Sequence, residues 1–363
     1  MIDSKTQKKI LAEYDGEIAI YKDLAATSAS LLENISLNYG VQLHSITHRR
    51  KSRSSLAAKI SKPDKEYDRL GDITDLAAVR ITTYFADDVD KVAEIVEREF
   101  SVDPDNSIDK RKFLDPDRFG YQSLHYVVTF IADRCKLSEY SRFNYRKVEI
   151  QIRSILQHAW AEIEHDLGYK SAVGIPKDIR RRFSRIAGLL ELADNEFSAI
   201  RHELDSYART VPSEIQNEPE NVGIDKISLS SLLQSEGSSI RKASLSVANA
   251  AGAVLKKAAG DEHIDTYITN IGLLGITTIA ELEHAATTHL DRIEKFAKYW
   301  LEEKQYDTMY EGVGLLYLAY VLLAEQGDVS RIVGFAEGLR LSGNHKKTAN
   351  RIIEAYQKSA PTG

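Results

Sequence analysis

The chain has very little cysteine, since Cys135 is the only one among its 363 residues. A single cysteine excludes an internal disulfide framework and a cysteine-rich zinc site, and it agrees with a reducing compartment. Residues 1–5 also lack the apolar core of a secretory signal peptide. We therefore expect a cytoplasmic protein.

Long hydrophobic runs and a strong excess of one charge are missing as well. The most apolar stretch, residues 313–324, lies between Glu311 and Glu325 and is too short to cross roughly 30 Å of hydrocarbon as a helix. We expect a buried helix there and no membrane partner. The net charge of −6 is mild, so any contact with nucleic acid must come from a local basic patch. A glycine-rich phosphate loop of the Walker type is also absent.

What the chain does contain is two carboxylates embedded in apolar segments typical of buried strands. Asp75 opens Asp-Leu-Ala-Ala-Val-Arg-Ile at residues 75–81, and Glu149 lies in Lys-Val-Glu-Ile-Gln-Ile-Arg at residues 147–153. A buried charge must be paired or must bind a metal. At the ends of adjacent strands the two could share Mg²⁺, with water and phosphate oxygens as further ligands. The alternative is a structural ion pair of each carboxylate with its neighbouring arginine, Arg80 or Arg153.

A basic segment at residues 48–59 concentrates hydrogen-bond donors. Spacings of four residues place Lys51, Ser55 and Lys59 on one face of a predicted helix. Arginine binds phosphate through two parallel hydrogen bonds and lysine acts as a point charge, so the mixture suits a triphosphate. A solvated helix face is the alternative interpretation of such a run.

The hydrophobic periodicity predicts an α+β first domain over residues 1–210, with a mixed β-sheet flanked by helices. One or two amphipathic helices are expected over residues 5–38, and residues 41–47 look extended. Strands are predicted at 76–84, 124–131 and 148–152, and further helices at 88–99, 154–169 and 179–203.

The periodicity is lost over residues 211–223, where proline, asparagine and glycine accumulate, so we predict a linker there. Residues 224–363 are expected to form an all-helical second domain, regulatory or oligomerising. Its predicted helices cover residues 228–233, 241–259, 278–300, 309–325, 328–341 and 345–359. We find no repeat that would define a solenoid.

Together the motifs of the first domain resemble the synthetase domain of the RelA/SpoT alarmone family. The resemblance covers roughly residues 40–200, and residues 210–363 have no counterpart in it. It rests on Arg49, Lys51, Ser55 and Lys59, on residues 75–80, on Gly-Tyr-Gln-Ser-Leu-His at 120–125, on Glu-Ile-Gln-Ile-Arg at 149–153, and on Trp-Ala-Glu-Ile-Glu-His at 160–165 with Tyr169 and Lys170. It implies a nucleotidyltransferase-like sheet and the transfer of pyrophosphate from ATP to the 3′-hydroxyl of a guanosine nucleotide.

The resemblance also implies roles for these residues. Asp75 and Glu149 would be catalytic and would hold Mg²⁺, and Glu149 would also orient or deprotonate the acceptor hydroxyl. ATP would be bound by Arg49, Lys51, Arg53, Ser55, Lys59 and Arg80. In the family an arginine shortly after the matched serine stacks on adenine, but Ala57 and Ala58 occupy those positions here. Arg53 or Arg50 would have to replace it.

On the acceptor side, the resemblance makes Tyr121 the residue that stacks on guanine, and His125 a contact to phosphate or ribose. Gln151 shares a strand face with Glu149 through the period of two. His158 stands where many small synthetases carry an asparagine that reads guanine, so the acceptor base stays open. As supporting residues, Glu164 would order Arg153 or the lysines, and Trp160 and Tyr169 would pack.

Three functions remain compatible with this sequence. The first is an enzyme that makes guanosine alarmones from GDP or GTP in the stringent response. The second is a toxin that pyrophosphorylates the 3′-CCA end of tRNA, for which the basic stretch at 177–185 would supply backbone contacts; its alternative is a solvated face. The third is an inactive sensor. Residues 224–363 would inhibit the enzyme, receive a protein trigger or form a homo-oligomer, and no alarmone hydrolase domain is expected.

Overall fold

The computed structural model describes residues 3–63, 66–109, 123–169, 176–257, 262–302, 305–338 and 344–360. The chain divides into two compact units, Met1–Arg201 and His202–Gly363. Each unit is built around a hydrophobic core of its own. Among the described residues, the two cores have no residue in common.

The first unit combines helices with a six-stranded sheet. Its strands are β1 (Leu43–Arg50), β2 (Ala77–Thr83), β3 (Phe100–Val102), β4 (Ile108–Asp109), β5 (Leu124–Phe130) and β6 (Val148–Ser154). Its helices are α1 (Ser4–Asn38), α2 (Arg53–Ile60), α3 (Ala86–Glu99), α4 (Ala132–Cys135), α5 (Ser138–Ser141), α6 (Ile155–Tyr169) and α7 (Lys177–Asn217), the last of which continues into the second unit.

The strand order of the sheet is β1-β2-β6-β5-β3, and β4 pairs with β5. Strands β2 and β6 are parallel, whereas β1 with β2 and β5 with β6 are antiparallel. The predicted mixed sheet flanked by helices is therefore confirmed. The structure adds β3 and β4, which the periodicity did not indicate because they are only three and two residues long.

One face of this sheet is apolar and the opposite face is polar, because side chains alternate along each strand. On β6, Val148, Ile150 and Ile152 join the core formed with α1 and α3. Glu149 and Gln151 lie on the other face of the same strand. The candidate site is built on this polar face.

Helix α1 is a single helix, so the prediction for residues 5–38 is confirmed. It starts where the Asp3 side chain accepts hydrogen bonds from the backbone of Lys5 and Thr6, and it ends before Gly40, whose φ is 69°. Ser154 starts α6 in the same manner. Its hydroxyl accepts from Gln157 N at 3.1 Å while Gln157 Oε1 accepts from Ser154 N at 2.9 Å, a reciprocal cap.

The linker predicted over residues 211–223 differs from the structure. Helix α7 continues through Pro212 to Asn217, and the two units divide at Arg201 instead. A proline inside a helix costs roughly 3 kcal/mol, which is why the sequence suggested a break. Tyr207, Val211 and Ile215, spaced by four residues, pack into the second core and keep the helix intact.

The second unit is mostly helical. Its helices are α8 (Lys226–Gln234), α9 (Ser239–Ala250), α10 (Glu262–Leu273), α11 (Ile279–Leu301), α12 (Val313–Gln326), α13 (Val329–Gly338) and α14 (His345–Lys358). The predicted buried helix at 313–324 is confirmed as α12. Among the described residues, no helix has the length and apolar character needed to span a membrane.

The expectation of an all-helical second domain was wrong in one respect. Two short strands, β7 (Val254–Lys256) and β8 (Thr308–Tyr310), pair in parallel. Gly252 has a φ of 64° and ends the helix that was predicted to run to residue 259. Helix α10 lies where the sequence predicted no helix.

Candidate active site

The polar face of the sheet brings together residues that are far apart in sequence. In the parallel pair of β2 and β6, Ala78 lies opposite Glu149 and Arg80 lies opposite Gln151. Across the antiparallel pair of β5 and β6, His125 lies opposite Gln151. Four of the predicted site residues therefore share one face of the sheet, as expected from the alternation of side chains along a strand. They are Arg80, His125, Glu149 and Gln151.

Asp75 lies in the turn just before β2, near the end of β6 that carries Glu149. Its carboxylate binds two lysines: Lys51 Nζ lies 2.6 Å from Oδ2, and Lys59 Nζ lies 2.9 Å from Oδ1. Burial by itself raises the pKa of Asp75, but the hydrogen bonds from Lys51 and Lys59 outweigh it and hold the pKa below its ordinary value of 3.8. Asp75 is therefore ionised at neutral pH.

The two lysines reach Asp75 from different elements. Lys59 is in the last turn of α2, whereas Lys51 precedes the helix, which starts after the capping residue Ser52. The backbone N of Lys51 donates to Leu76 O at 2.8 Å, which holds this segment beside Asp75. The prediction that Lys51 shares a helix face with Ser55 was wrong, because the helix begins at Arg53.

Glu149 has weaker partners than Asp75. Its Oε1 lies 3.4 Å from His125 Nδ1, and its Oε2 accepts from Gln151 Nε2 at 3.2 Å. The other nitrogen of His125 lies 2.6 Å from Ser123 Oγ. Burial raises the pKa of Glu149, and the contact with His125 outweighs it and lowers the pKa below 4.5; the negative charge of Asp75 acts in the raising direction.

The alternative in which Arg80 and Arg153 neutralise the two carboxylates was wrong. Both arginines approach Glu162 on α6, with Oε1 at 3.5 Å from Arg80 Nη1 and 3.2 Å from Arg153 Nη2. Arg80 Nε also donates to Gln151 Oε1 at 3.2 Å. A chain of polar contacts thus runs from Glu162 through Arg80 and Gln151 to Glu149.

Glu162 also replaces Glu164 as the acidic residue beside Arg153. Side chains two residues apart on a helix point to nearly opposite sides. Glu164 therefore does not share the helix face through which Glu162 approaches Arg153, and its side chain is exposed. His158 is one turn before Glu162, and its Nδ1 lies 3.8 Å from Glu162 Oε1. Burial and the charge of Arg153 lower the pKa of His158 below 6.5. The spacing of four from His158 is the signal that could have identified Glu162.

The remaining residues predicted to bind ATP lie around the start of α2. Arg49 is exposed at the end of β1. Arg53 Nε donates to both oxygens of Asp15 on α1, at 2.9 and 3.0 Å. Ser55 accepts a hydrogen bond of 2.7 Å from the Ser52 hydroxyl. These three side chains therefore lie at the surface, close in sequence to Lys51 and Lys59. Arg53 and Ser55 already have partners on nearby residues.

Three of the predicted residues cannot be compared with the structure. Tyr121 and Lys170 lie outside the described residues, and Tyr169 lies in a described helix but its side chain is not described. The predicted packing of Trp160 is confirmed, since it is buried against Ala187 between α6 and α7.

Mg²⁺ would fit the donor set of this site. Magnesium usually takes one or two protein carboxylates and completes its shell with water and substrate phosphates. Asp75, in the turn before β2, and Glu149, on the neighbouring strand β6, supply two ionised carboxylates near the same end of these strands. Within the described residues, no group of three or more histidine, cysteine or acidic side chains is placed to hold a metal, so the substrate would have to contribute ligands.

Comparison with known proteins connects this geometry to one family. Residues 48–173 match the model of the region found in RelA / SpoT proteins. Over 162 residues, the chain is 31% identical to the GTP pyrophosphokinase YjbM of Bacillus subtilis (strain 168), which covers 44% of this chain and 72% of YjbM. It is 27% identical over 208 residues to YwaC, a second GTP pyrophosphokinase of that organism, covering 54% of this chain and 95% of YwaC.

Among solved structures, the small alarmone synthetase 1 from Bacillus subtilis bound to its product pppGpp aligns with 53% of this chain and 99% of its own. The sequence identity is 26% and the TM-score is 0.45.

Proposed function

Because the chain belongs to the RelA/SpoT family of alarmone synthetases, we propose that it transfers pyrophosphate from ATP to the 3′-hydroxyl of GDP or GTP. The observation that carries this proposal is the placement of Asp75 in the turn before β2, near the end of β6 that carries Glu149, with different partners for the two carboxylates. The acceptor oxygen forms a bond to the β-phosphorus of ATP. The bond between the β-phosphorus and the oxygen that bridges it to the α-phosphorus breaks, and AMP leaves. Such a transfer asks a protein mainly for positioning and charge neutralisation.

Glu149 is the residue that would bind the acceptor hydroxyl. It is ionised at neutral pH, and its contacts with His125 and Gln151 are 3.4 and 3.2 Å long. An ionised carboxylate with such long contacts has lone pairs left for a further donor. It would accept the hydrogen bond of the 3′-hydroxyl and then its proton as the new bond to phosphorus forms.

Lys51 and Lys59 would neutralise the triphosphate of ATP beside Asp75. Each ammonium has three N–H donors, so the contacts with Asp75 leave donors for phosphate oxygens. Arg80 lies on the same face and would add a planar cation, and Arg49, Arg53 and Ser55 would extend the nucleotide site along α2. Mg²⁺ held by Asp75 and Glu149 would neutralise the charge that develops on the phosphates.

The acceptor distinguishes the proposed function from its alternative. Five exposed arginines could bind the phosphate backbone of a nucleic acid. They are Arg49 and Arg50 on β1 and Arg181, Arg182 and Arg185 on α7. They support a second candidate, the pyrophosphorylation of the 3′ end of tRNA, because a tRNA substrate needs backbone contacts and would bind with strong salt dependence.

One experiment tests both candidates. The full-length protein is incubated with Mg²⁺ and ATP labelled at the γ-phosphate, and GDP, GTP, ATP or bulk tRNA is offered as acceptor; labelled products are separated by thin-layer chromatography and gel electrophoresis. We expect label in a guanosine nucleotide. Label in tRNA alone would establish the toxin activity. Transfer to neither class would mean either that the chain is an inactive sensor or that the second unit inhibits it. The same assay on residues 1–205 separates the two, because an inactive sensor stays inactive without the second unit.

We further propose that the second unit regulates this activity, either by inhibiting it or by responding to a protein trigger. The support is the separate core of residues in the second unit, together with catalytic motifs confined to the first unit. The cytoplasmic location stays a prediction.

A further inference from the structure

Arg80 and Arg153 bring two positive charges close together on the polar face. Arg80 is on β2 and Arg153 is on the adjacent strand β6. Burial lowers the pKa of Arg153, and the nearby charge of Arg80 lowers it further, so the two guanidiniums repel each other. Arg153 is only 5% exposed, whereas a third of the Arg80 side chain is exposed. The repulsion therefore acts mainly on the position of Arg80.

Glu162 on α6 lies between these two guanidiniums. Its Oε1 is 3.5 Å from Arg80 Nη1 and 3.2 Å from Arg153 Nη2. Burial raises the pKa of Glu162, but the hydrogen bond from Arg153 and the charges of both arginines outweigh it and hold the pKa below 4.5. Glu162 is therefore ionised at neutral pH. In the described part of the chain, no other carboxylate forms an ion pair with either arginine.

Arg80 is the arginine of this pair that is connected to the catalytic carboxylate. Its Nε donates to Gln151 Oε1 at 3.2 Å, and Gln151 Nε2 donates to Glu149 Oε2 at 3.2 Å. Among the described residues, Nη2 of Arg80 has no hydrogen-bond partner. A guanidinium held at Nε and Nη1 presents its remaining N–H groups in a fixed plane, which suits phosphate oxygens.

The charges around Glu162 still favour an incoming phosphate. Burial and the charge of Arg153 lower the pKa of His158 below 6.5, so this side chain is neutral at pH 7. Two guanidiniums against a single carboxylate leave one positive charge in excess. Glu162 thus aligns the arginines without cancelling the charge that would attract a triphosphate.

We propose that Glu162 is a positioning residue for ATP, which holds Arg80 against the repulsion of Arg153 so that the Arg80 guanidinium meets the phosphates. The inference rests on the proposed transfer from ATP, and it assigns Glu162 a role exerted through Arg80 and not on the reacting atoms. The opposite role, in which Glu162 competes with phosphate for the arginines, predicts tighter binding of ATP once the carboxylate is removed.

The first test measures binding without turnover. The full-length protein is titrated with Mg²⁺ and α,β-methylene-ATP, in which the bond that transfer would break is replaced, and the dissociation constant is read by calorimetry. Glu162→Gln should bind at least about tenfold more weakly than the natural protein, with an unchanged circular dichroism spectrum. The matched control is Glu139→Gln, an exposed position on α5, which should bind like the natural protein. Unchanged or tighter binding by Glu162→Gln overturns the proposal.

The second test is a rescue. If Glu162 acts against the charge of Arg153, adding Arg153→Gln to Glu162→Gln should return the dissociation constant to within about threefold of the natural value. A folded double variant that recovers no binding overturns the proposed repulsion.

Steady-state rates separate positioning from a general disturbance of the site. Glu162→Gln should raise the KM for ATP about tenfold and leave the KM for the guanosine acceptor within about twofold. An equal rise of both overturns the proposal. A natural protein that binds the analogue but transfers to no acceptor contradicts the proposed function, while the binding tests still decide the role of Glu162. A natural protein that does not bind the analogue contradicts both.

Discussion

At the scale of single residues, Asp75 and Glu149 differ in how their charges are neutralised. Two ammonium groups bind Asp75 within 2.9 Å, whereas Glu149 contacts an imidazole and an amide at 3.2 Å or more. The two ammonium groups beside Asp75 suit a place where phosphates bind. The weaker partners of Glu149 leave it available for a hydroxyl, so the two carboxylates are suited to different steps.

We predict that Asp75→Asn and Glu149→Gln each abolish transfer. Both changes preserve shape while removing a negative charge that the reaction needs. Losses should reach several hundredfold, on the order of 4 kcal/mol in the barrier. Initial rates with labelled ATP measure the effect, and circular dichroism checks the fold.

The matched control for these variants is Asp133→Asn, which removes an exposed carboxylate outside the polar face. It should keep nearly full activity. A correctly folded Asp75→Asn or Glu149→Gln protein that retains more than about a tenth of the rate, roughly 1.4 kcal/mol, would show that the assigned role is wrong.

A second residue-scale prediction concerns pH. The pKa of Asp75 is lowered in the folded state, so its ion pairs contribute stability above the ordinary pKa of 3.8, and this contribution is lost as the pH falls through the lower folded pKa. Lys51→Met should therefore lower the free energy of unfolding at pH 7, and the difference from the natural protein should shrink once the pH falls below 3.8.

The measurement is urea unfolding followed by the fluorescence of Trp160, in a background with Trp300→Phe so that only the first unit is reported. Lys136→Met removes an exposed lysine paired with Asp133 and should change little at any pH. A difference between Lys51→Met and the natural protein that is constant from pH 7 to pH 3 would mean that the ion pair with Asp75 is not its source.

At the scale of elements, Ser154 connects three segments. It ends β6, caps α6 through Gln157, and donates a buried hydrogen bond to Asp194 on α7. Since β6 carries Glu149 and α6 carries Glu162, this junction positions both of these acidic residues.

We predict that Asp194→Ala destabilises the first unit by about 1–3 kcal/mol, because it leaves the buried Ser154 hydroxyl without its acceptor. Unfolding by urea with the same Trp160 reporter measures it. On the exposed side of the same helix, Glu191→Ala should stay within about 0.5 kcal/mol of the natural protein. Equal effects of the two substitutions would refute a specific role for the junction.

At the scale of the whole molecule, the separate cores predict that residues 1–205 fold and catalyse alone. This segment contains the first core and retains Arg201 with its bonds to Asp87 and Asp88. If the second unit regulates the enzyme, removing it should change the rate at least tenfold, a coupling of about 1.4 kcal/mol.

Initial rates of the full chain and of residues 1–205, at matched concentration and with both masses measured, test this prediction. A faster truncated form, or growth arrest when it is expressed, would indicate inhibition by the second unit. A slower form would indicate that this unit supports assembly or orders the site. Equal rates at equal oligomeric state would contradict regulation.

The sequence by itself determined the elements and the chemistry of the polar face. Periods of two and of nearly four residues depend only on the local chain, so strands β2, β5 and β6, helix α1 and the shared face of Glu149 and Gln151 were predictable. The motifs around Asp75 and Glu149 were sufficient to identify the family.

The tertiary structure alone decided which charges meet and where the units divide. Asp75 binds Lys51 and Lys59 and not Arg80, and Glu162 rather than Glu164 binds Arg153. Helix α7 continues through Pro212 because the second core packs against it. Local spacing sets the direction of a side chain on its own element, but its partner depends on how distant elements pack, and that packing is a property of the whole fold.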